Sequence, residues 1–573
     1  MPFFGANKFV SFQNRWKSYP ASFPCCPLAL RCRAAVVSGG WRWRRVRLRR
    51  NRGRIIQQRP KLRRATVTAL SVADFHEIEL AETDNEGRFA LERLAAGKYP
   101  LTASKRGFLT SYYDEHEGYN TAIVTGADQN TGGLVFRLTP GASLHGVVSG
   151  DGGDPVEGAS VMLFRKPHGH GADARITHAG ETRTADTGAY EFDGLAAGEY
   201  LLAVKATPWY ALHRSAAESR QRPADDPGAA LDVAYPVTFF DSTTDEASAA
   251  SIALAGGGSE EANINLRAVP ALRLTAEAPR SVEAGVRSSM YVVRPRLRQS
   301  IFGAVIGEVD GENQSSDFAA VETGSIEFRG VAPGHYELTQ GDPPRVTELD
   351  ATSNQRIDPE LGTPTVIVSG TARNTSGTAL PGKVSLTLSP LDPALSTNDR
   401  SEVSNQGSFS FPSVQPGRWE LLAFSQDPGG RGKRMTVVST TAGGKTSAGN
   451  LVTVWDKPLT LFVTLSDSET RVEGFARKDG KGKAGVLVVL VPKEPAAYRA
   501  LMRIDQSDSD GSFSLHDVAP GEYTVVAIED GWELDRARPE VIGRYLSLGI
   551  AVPVKEDSGK LVKLSEEVPV LSR

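Results

Sequence analysis

The chain has 573 residues, which is too many for one hydrophobic core and suits four or five domains. Its charge is divided: residues 1–64 carry 17 Lys or Arg and no Asp or Glu, whereas the remaining residues carry 48 basic and 68 acidic side chains. The net charge of −20 over this remainder argues against nucleic acid as its partner.

Residues 1–64 form a basic segment without hydrophobic periodicity, and we expect it to be disordered or to result from a wrongly assigned translation start. The alternative is an arginine-rich patch for nucleic acid or anionic membranes, with two tryptophans as stacking groups. All cysteines, Cys25, Cys26 and Cys32, lie here without a His or Cys at metal-ligand spacing, so we expect no zinc site. No apolar run suits a signal peptide or a transmembrane helix.

An internal repeat organises the rest of the chain. Glycine pairs spaced ten residues apart recur five times, at Gly87/Gly97, Gly188/Gly198, Gly324/Gly334, Gly407/Gly417 and Gly511/Gly521. After the first glycine, apolar residues such as Phe513 and Leu515 alternate with polar ones, which predicts a strand. The second glycine precedes an aromatic residue, such as Tyr523, that opens another strand. We therefore predict antiparallel strand–turn–strand units, with positive φ at Gly417 and Gly521 after their prolines.

The repeats define the predicted domains. These are the basic segment 1–64, an incomplete repeat 1 at 65–140, repeat 2 with a long loop insertion at 141–270, a divergent repeat 3 at 271–365, repeat 4 at 366–468 and repeat 5 at 469–573. Repeat 1 is incomplete because no clear opening strand precedes its glycine pair.

The repeated pattern D-x-x-G-x-[FY]-x-[FL]-x-x-[LV]-x-[AP]-G-x-[YW]-x-[LV] resembles the carboxypeptidase regulatory-like domain. Opening strands at 144–150, 366–372 and 472–476 are similar to those of the family as well. The resemblance implies a transthyretin-like fold, also classed as carbohydrate-binding-like. The predicted fold class is therefore all-β: a tandem array of antiparallel, immunoglobulin-like or transthyretin-like β-sandwich domains after a disordered basic segment. The resemblance bears on fold more firmly than on activity.

Histidine patterns offer weak support for catalysis. His76 and Glu79 match the H-x-x-E zinc pattern of metallocarboxypeptidases, yet they lie beside a predicted strand and the chain has no room for that catalytic domain. His168, His170 and His178 are a second possible metal cluster, but glycines around the first two predict a loop. No nucleophile elbow, phosphate-binding loop or dinucleotide fingerprint is present. We expect no enzyme activity, catalytic residue, metal or cofactor.

Acidic turns precede two of the repeat glycines, at Asp84–Gly87 and Asp508–Gly511. Calcium loops also place several oxygen ligands on a tight turn. Neither segment has the downstream Glu of an EF-hand, so hairpin turns are favoured over calcium sites.

Aromatic residues that follow the second repeat strand are candidates for a sugar-binding platform. They are Trp209, Tyr210, Tyr112, Tyr113 and Trp532, and we expect them on loops at one end of a sandwich. The aromatic residues at the repeat position itself are expected in the cores.

The sequence favours a non-catalytic protein whose modules act as spacers or binding domains at the cell envelope of a bacterium. One alternative is a carbohydrate-binding protein that uses the loop aromatics, and another is a peptidase-associated protein without a catalytic domain. The expected partner is a polysaccharide or an envelope protein. We expect export to the periplasm, the outer membrane or the medium, although no signal peptide is visible.

Overall fold

The computed structural model describes most of the chain after residue 50. The described residues are 51–56, 61–92, 94–126, 131–167, 176–214, 218, 221, 223, 226–277, 295–309, 325–340, 344–358, 360–378, 380, 383–392, 395, 399–426, 432–536, 538–556 and 560–573. Leu48–Arg573 forms one compact unit. The predicted disorder of the basic segment falls outside the described residues, except at its end. The all-β prediction is confirmed, since five β-sandwiches follow one another along this unit.

Repeat 1 contains an opening strand that the sequence did not reveal. Its strands are Asn51–Ile56, Thr66–Leu70, Glu77–Glu82, Arg88–Leu91, Gly97–Tyr99, Leu101–Ser104, Ser111–Tyr112, Ile123–Thr125 and Leu134–Arg137. The first of these pairs antiparallel with Arg88–Leu91 and parallel with Leu134–Arg137. Leu62 also lies in the core of this repeat. The repeat therefore begins before the predicted boundary at residue 65, because an arginine-rich strand lacks the apolar alternation by which a strand is recognised.

Repeat 2 incorporates part of its predicted loop insertion into a sheet. Its strands are Ala142–Ser149, Ser160–Arg165, Thr177–Arg183, Ala189–Leu195, Gly198–Lys205, Val233–Ala234, Thr238–Phe239, Ile252–Leu254, Ser259–Glu261, Ile264–Asn265 and Val269–Pro270, with 3-10 turns at Pro227–Leu231 and Glu246–Ser248. Thr238–Phe239 and Ile252–Leu254 both pair with Gly198–Lys205. The region is thus an extension of the sandwich.

Counted over the described residues, repeat 3 has the smallest core of the five. Its strands are Leu272–Glu277, Arg296–Ile301, Ala304–Val309, Ser325–Val331, Gly334–Gln340, Arg345–Ala351, Gln355–Arg356 and Thr363–Pro364. The core contains Phe328, Tyr336 and Leu338, which occupy the repeat positions. Gly324 lies outside the described residues.

Repeat 4 joins its two sheets through one long strand. Its strands are Val366–Asn374, Lys383–Pro390, Asp399–Glu402, Ser408–Val414, Gly417–Gln426, Gly432–Ala442, Lys445–Ala448, Leu451–Val454 and Leu459–Ser466. Gly432–Ala442 pairs with Gly417–Gln426 at one end and with Leu459–Ser466 at the other. A strand shared in this way couples the two sheets directly.

Repeat 5 carries an additional layer on one sheet. Its strands are Arg471–Lys478, Lys481–Gly482, Leu487–Pro492, Arg503–Gln506, Ser512–Leu515, Gly521–Glu529, Ile550–Val554, Leu561–Lys563 and Val568–Ser572, with helices Tyr498–Leu501 and Pro539–Leu546 and 3-10 turns Pro495–Ala497 and Gly531–Glu533. Val488 and Leu490 face the sandwich core, while Leu487 and Val489 face a second cluster with Trp532 and Ile542. Both faces of this sheet are therefore buried.

The aromatic residue after the second repeat glycine makes the same hydrogen bond in every repeat. Its polar atom donates to the carbonyl oxygen four residues earlier: Tyr99 to Ala95 at 3.3 Å, Tyr200 to Ala196 at 2.8 Å, Tyr336 to Ala332 at 2.8 Å, Trp419 to Gln415 at 3.0 Å and Tyr523 to Ala519 at 2.8 Å. A buried Tyr or Trp needs such a partner for its polar end. A Tyr or Trp recurs at this position because its ring packs in the core and its OH or NH group makes this hydrogen bond.

The two repeat glycines have different roles. The described first glycines have positive φ, from 70° at Gly87 to 87° at Gly407. The expectation for Gly521 was wrong, because its φ is not positive and a Cβ there would lie 3.2 Å from the ring of Tyr523. Gly417 has a φ of 157°, close to extended backbone. Gly521 therefore leaves room for the Tyr523 ring, whereas the described first glycines make the turn.

Candidate functional site

The predicted platform aromatics separate into two places. Trp209 is 93% exposed, and its ring lies 5.7 Å from that of Tyr210 at an interplanar angle of 87°. Tyr210 is half-buried and hydrogen-bonded to Tyr235. Burial of the Tyr235 side chain is the main reason that its pKa is raised to about 12. The indole of Trp209 is therefore exposed to solvent, and it lies against Tyr210, whose hydrogen bond to Tyr235 holds it in place.

The remaining platform residues lie in or near the contact between repeats 1 and 5. Tyr112 and Tyr113 are half-buried, and Tyr113 packs edge-on against Phe136 at 5.3 Å. Trp532 is 9% exposed, so the expectation that it lies on an open loop was wrong. Its indole stacks on His116 of repeat 1, with ring centroids 5.3 Å apart and planes 9° from parallel.

Repeats 1 and 5 are joined by a network of hydrogen bonds around Asp508. Its carboxylate accepts from Lys98 Nζ at 2.7 Å and from the Ala122 backbone NH at 3.1 Å. Ser509 donates its backbone NH to Ala122 O at 3.0 Å and accepts from the Val124 NH through its hydroxyl at 2.8 Å. The acidic turn predicted from the sequence is therefore a docking point for repeat 1.

Gln506 is the second docking residue of repeat 5. It is buried, and its amide donates to Thr121 Oγ1 at 2.8 Å and to Asp114 O. Its amide oxygen lies 3.1 Å from Nδ1 of His116. Sequence reasoning missed Gln506 and Lys98, because a single polar residue carries no pattern and the partners are 385 and 410 residues away.

A cleft of about 500 Å³ opens beside this contact. It is lined by Tyr119, Tyr498, Arg499, Met502, Arg503, Ile504, Asp505, Ser514, His516, Asp517 and Arg536. A smaller groove of about 260 Å³ on the repeat 4 side shares Arg499 and Arg503 and adds Arg434. Ser514 and His516 lie on the same strand face, so the alternation recognised in the sequence brings both to the cleft.

Arg503 lies between the cleft and the groove. Its guanidinium donates to Asp517 O at 2.8 Å, to Ala500 O at 2.9 Å and to Thr436 Oγ1 of repeat 4 at 2.6 Å. These acceptors are neutral, and burial lowers the pKa of the Arg503 guanidinium. The side chain is thus a cation held in a fixed orientation by backbone carbonyls.

Asp505 lies at the base of the cleft and accepts the backbone NH of Ser514 at 2.7 Å and that of Gln506 at 2.8 Å. Burial raises the pKa of its carboxyl to about 7. A carboxyl whose pKa is higher in the folded chain binds its proton more tightly there, so protonation stabilises the fold.

We therefore expect the stability of repeat 5 to fall as pH rises from about 4 to about 7, the window between the unfolded and folded pKa values of Asp505. Hydrogen exchange of peptides from residues 487–529 at several pH values, corrected for intrinsic exchange rates, measures this trend. Asp505→Asn should flatten the pH dependence. An unchanged slope in this variant would contradict the assignment to Asp505.

The described residues contain no arrangement typical of a catalytic site. Ser514 Oγ is buried and without a hydrogen-bond partner, so it is not paired with His516 as a nucleophile with its base would be. His76 lies 2.5 Å from Asp74 on an exposed turn, and His178 packs against Phe164. His168 and His170 lie outside the described residues. In the described part of the chain, no three His, Cys, Asp or Glu side chains converge as metal ligands would.

No helix in the described part of the chain is both long and apolar enough to span a bilayer.

Comparison with known proteins gives one family match. The model of the second β-sandwich domain of NOMO1-like subunits of the BOS complex matches residues 471–544, within repeat 5. It describes a β-sandwich domain and not a catalytic one. No curated protein sequence matches the chain.

Similar solved structures include two pilus proteins and a protein of Bacillus anthracis. The minor pilin GBS52 of Streptococcus agalactiae is 14% identical, with 38% of this chain and 97% of that chain covered and a TM-score of 0.18. The TIE protein of Bacillus anthracis is 10% identical, with 70% and 69% covered and a TM-score of 0.14. The RrgB pilus protein of Streptococcus pneumoniae is 8% identical, with 76% and 99% covered and a TM-score of 0.14. At these values the fold assignment depends on this chain's own strands, which form a tandem array of β-sandwich domains.

Proposed function

We propose that the chain is a non-catalytic scaffold of carboxypeptidase regulatory-like modules, closed by the contact between its first and last repeats. The observation that carries this proposal is the network of Lys98, Ala122, Gln506, Asp508 and Ser509. Buried hydrogen bonds that include a charged group favour one relative placement of the two repeats, since leaving these groups unpaired is costly. A flexible string of independent binding modules would not need them.

Contacts between neighbouring repeats support a stiff array. Phe302 of repeat 3 packs between Phe164 and Phe239 of repeat 2, with ring centroids 5.2 and 5.3 Å away. The hydroxyl of Ser413 in repeat 4 donates to Thr365 Oγ1 of repeat 3 at 3.1 Å. Arg503 reaches Thr436 across the junction of repeats 4 and 5. Aromatic and hydrogen-bonded junctions of this kind limit hinge motion between domains.

The closure is tested by small-angle X-ray scattering of the full chain and its Asp508→Ala variant. We expect the variant to have a larger radius of gyration, because the loss of the carboxylate leaves Lys98 and the Ala122 NH without their acceptor. The matched control is Asp84→Ala, which removes the corresponding turn carboxylate of repeat 1. In the described part of the chain, the Asp84 carboxylate bonds within its own turn, to Glu86 and Arg88. Equal radii for the parent and the Asp508 variant would contradict a closed scaffold.

The proposed location is the bacterial cell envelope or the medium, and the family resemblance supports it. Cell fractionation with an antibody against the array tests it. Recovery in the cytosol alone would contradict export.

Carbohydrate binding is the second candidate, and the exposure of Trp209 favours it. An indole that is 93% exposed and backed by Tyr210 can stack on a sugar ring. We expect Trp209→Ala to abolish retardation of the full chain in gels that contain insoluble plant or bacterial polysaccharide. The matched control is Trp455→Ala, since Trp455 is 70% exposed in repeat 4 and lies outside the predicted platform. Equal loss in both variants, or no retardation of the parent, would contradict this role.

A further inference from the structure

The strand Glu77–Glu82 forms a free edge of repeat 1. It is the terminal strand of a four-stranded sheet and is paired on one side alone in the described chain. Thr83, directly after the strand, donates its backbone NH to Ala65 O at 2.9 Å on the neighbouring strand. Because such bonds alternate along an antiparallel pair, the backbone NH and CO groups of Leu80 point away from that neighbour. The edge therefore offers a donor and an acceptor to a further strand.

Large apolar side chains on this edge are exposed to solvent. Leu80 is 51% exposed and Ile78 is 44% exposed, and the hairpin before the strand adds the exposed ring of Phe75. Along the strand, these two aliphatic residues lie between two exposed carboxylates, Glu77 and Glu82. The edge thus presents an apolar centre with a negative charge at each end.

Three of the other repeats protect the corresponding edge. Soluble proteins usually blunt an edge strand with polar residues or cover it, since an apolar edge recruits other strands. The edge strands Thr177–Arg183 of repeat 2 and Asp399–Glu402 of repeat 4 have no large apolar residue. The Arg503–Gln506 edge of repeat 5 is covered by repeat 1, to which Gln506 donates. The edge of repeat 3 exposes one large apolar side chain, Val305, so repeat 1 has the most apolar free edge among the described strands.

The segment that contains this edge is acidic. Residues 71–87 include six Asp or Glu and no Lys or Arg. Arg88, directly after the segment, pairs with the last two of these acids. Glu77 and Glu82 are exposed and form no ion pair with the described residues. The uncompensated carboxylates therefore lie on the strand itself, where they favour a positively charged partner.

We propose that this edge binds an extended segment of a partner protein by strand addition, and that the segment has an apolar centre with a basic residue at each end. The backbone of the segment pairs with that of Leu80, which supplies affinity. Its apolar side chains pack against Ile78 and Leu80, and its basic residues lie opposite Glu77 and Glu82, which supplies specificity. A second copy of this chain is disfavoured as the partner, because two such edges side by side would bring like charges together.

The test is fluorescence anisotropy of a labelled heptapeptide, Lys-Thr-Val-Thr-Val-Thr-Lys, titrated with the full chain. A second peptide has glutamate in place of both lysines. A third keeps every side chain but carries N-methyl groups on both valines, which removes the backbone donors for strand pairing and leaves the charge unchanged. We expect the second and third peptides to bind at least tenfold more weakly than the first, because one loses the charge match and the other the main-chain hydrogen bonds.

The variant for the test is Leu80→Lys, which changes an exposed side chain and adds the charge that protects edge strands elsewhere. We expect at least a tenfold loss of affinity for the first peptide. The matched control is Val305→Lys, because Val305 is 44% exposed on the edge strand of repeat 3 and the change in charge is the same. Affinity should change less than twofold in this control. Hydrogen exchange of the parent should slow in residues 71–87 when the first peptide is bound.

The proposal is overturned if the first peptide does not bind the parent, if the N-methylated peptide binds as tightly, or if both lysine variants lose affinity equally. A parent that sediments as a dimer and becomes monomeric with Leu80→Lys would give the edge to a second copy instead. Binding at this edge is independent of the closed scaffold, because Glu77–Glu82 and Ser111–Tyr112, the strand nearest the contact with repeat 5, are at opposite edges of the sheet. Peptide binding by an open Asp508→Ala variant would therefore keep this site, whereas a closed parent that binds no peptide rejects it and keeps the scaffold.

Discussion

Phe513→Ala should lower the free energy of unfolding of repeat 5 by about 3–5 kcal/mol, the usual loss when a buried aromatic side chain is truncated. Phe513 is 1% exposed, and its ring lies over Gly474, where a Cβ would be 2.8 Å from Cζ. The cavity would be hard to fill, because Gly474 has no side chain and the neighbouring residues already belong to the packed core. Hydrogen exchange of peptides from 487–529 in the full chain measures the change.

The control for this prediction is Ser514→Ala, one residue further along the same strand. Ser514 lies on the opposite face, and its hydroxyl has no hydrogen-bond partner among the described residues to lose. Its loss should therefore change stability by no more than about 0.5 kcal/mol. Similar effects for both variants would show that the strand register is wrong.

Gly511→Ala should destabilise repeat 5 by about 3 kcal/mol, from backbone strain and overpacking together. Gly511 has a φ of 84°, and a Cβ there would lie 2.6 Å from Ala476 O and 2.7 Å from Gly482 Cα. Both neighbours are backbone atoms in paired strands, so they cannot move aside without breaking strand hydrogen bonds. The same exchange measurement in the full chain reports the loss.

Gly480→Ala separates the two causes. Gly480 is in the same repeat and has a φ of 72°, but a Cβ there would meet nothing within 4 Å. We expect only the cost of the left-handed backbone, about 1–2 kcal/mol. Equal losses at Gly480 and Gly511 would show that the close approach of Ala476 and Gly482 contributes nothing.

The sequence by itself determined the fold class and most of the core, because the repeat signal is local. Turn glycines and alternating apolar residues lie within about 15 residues of one another, and each repeat restates them. Phe409, Phe411, Trp419 and Leu421, recognised from spacing alone, are all buried in the core of repeat 4. The opening strand Asn51–Ile56 was missed, since its arginines hide the alternation, and so was the role of Gly521 as space for the Tyr523 ring.

Only the tertiary structure decided where the repeats meet and which polar side chains converge. Asp508 could be recognised as a turn residue, but not as the partner of Lys98, because nothing local specifies a contact across 410 residues. Trp532 was expected on a loop and instead stacks on His116, since the burial of an aromatic after a strand depends on which domain packs there. The arginines around the cleft come from two repeats and have no common spacing, so their grouping is a product of domain packing and not of local pattern.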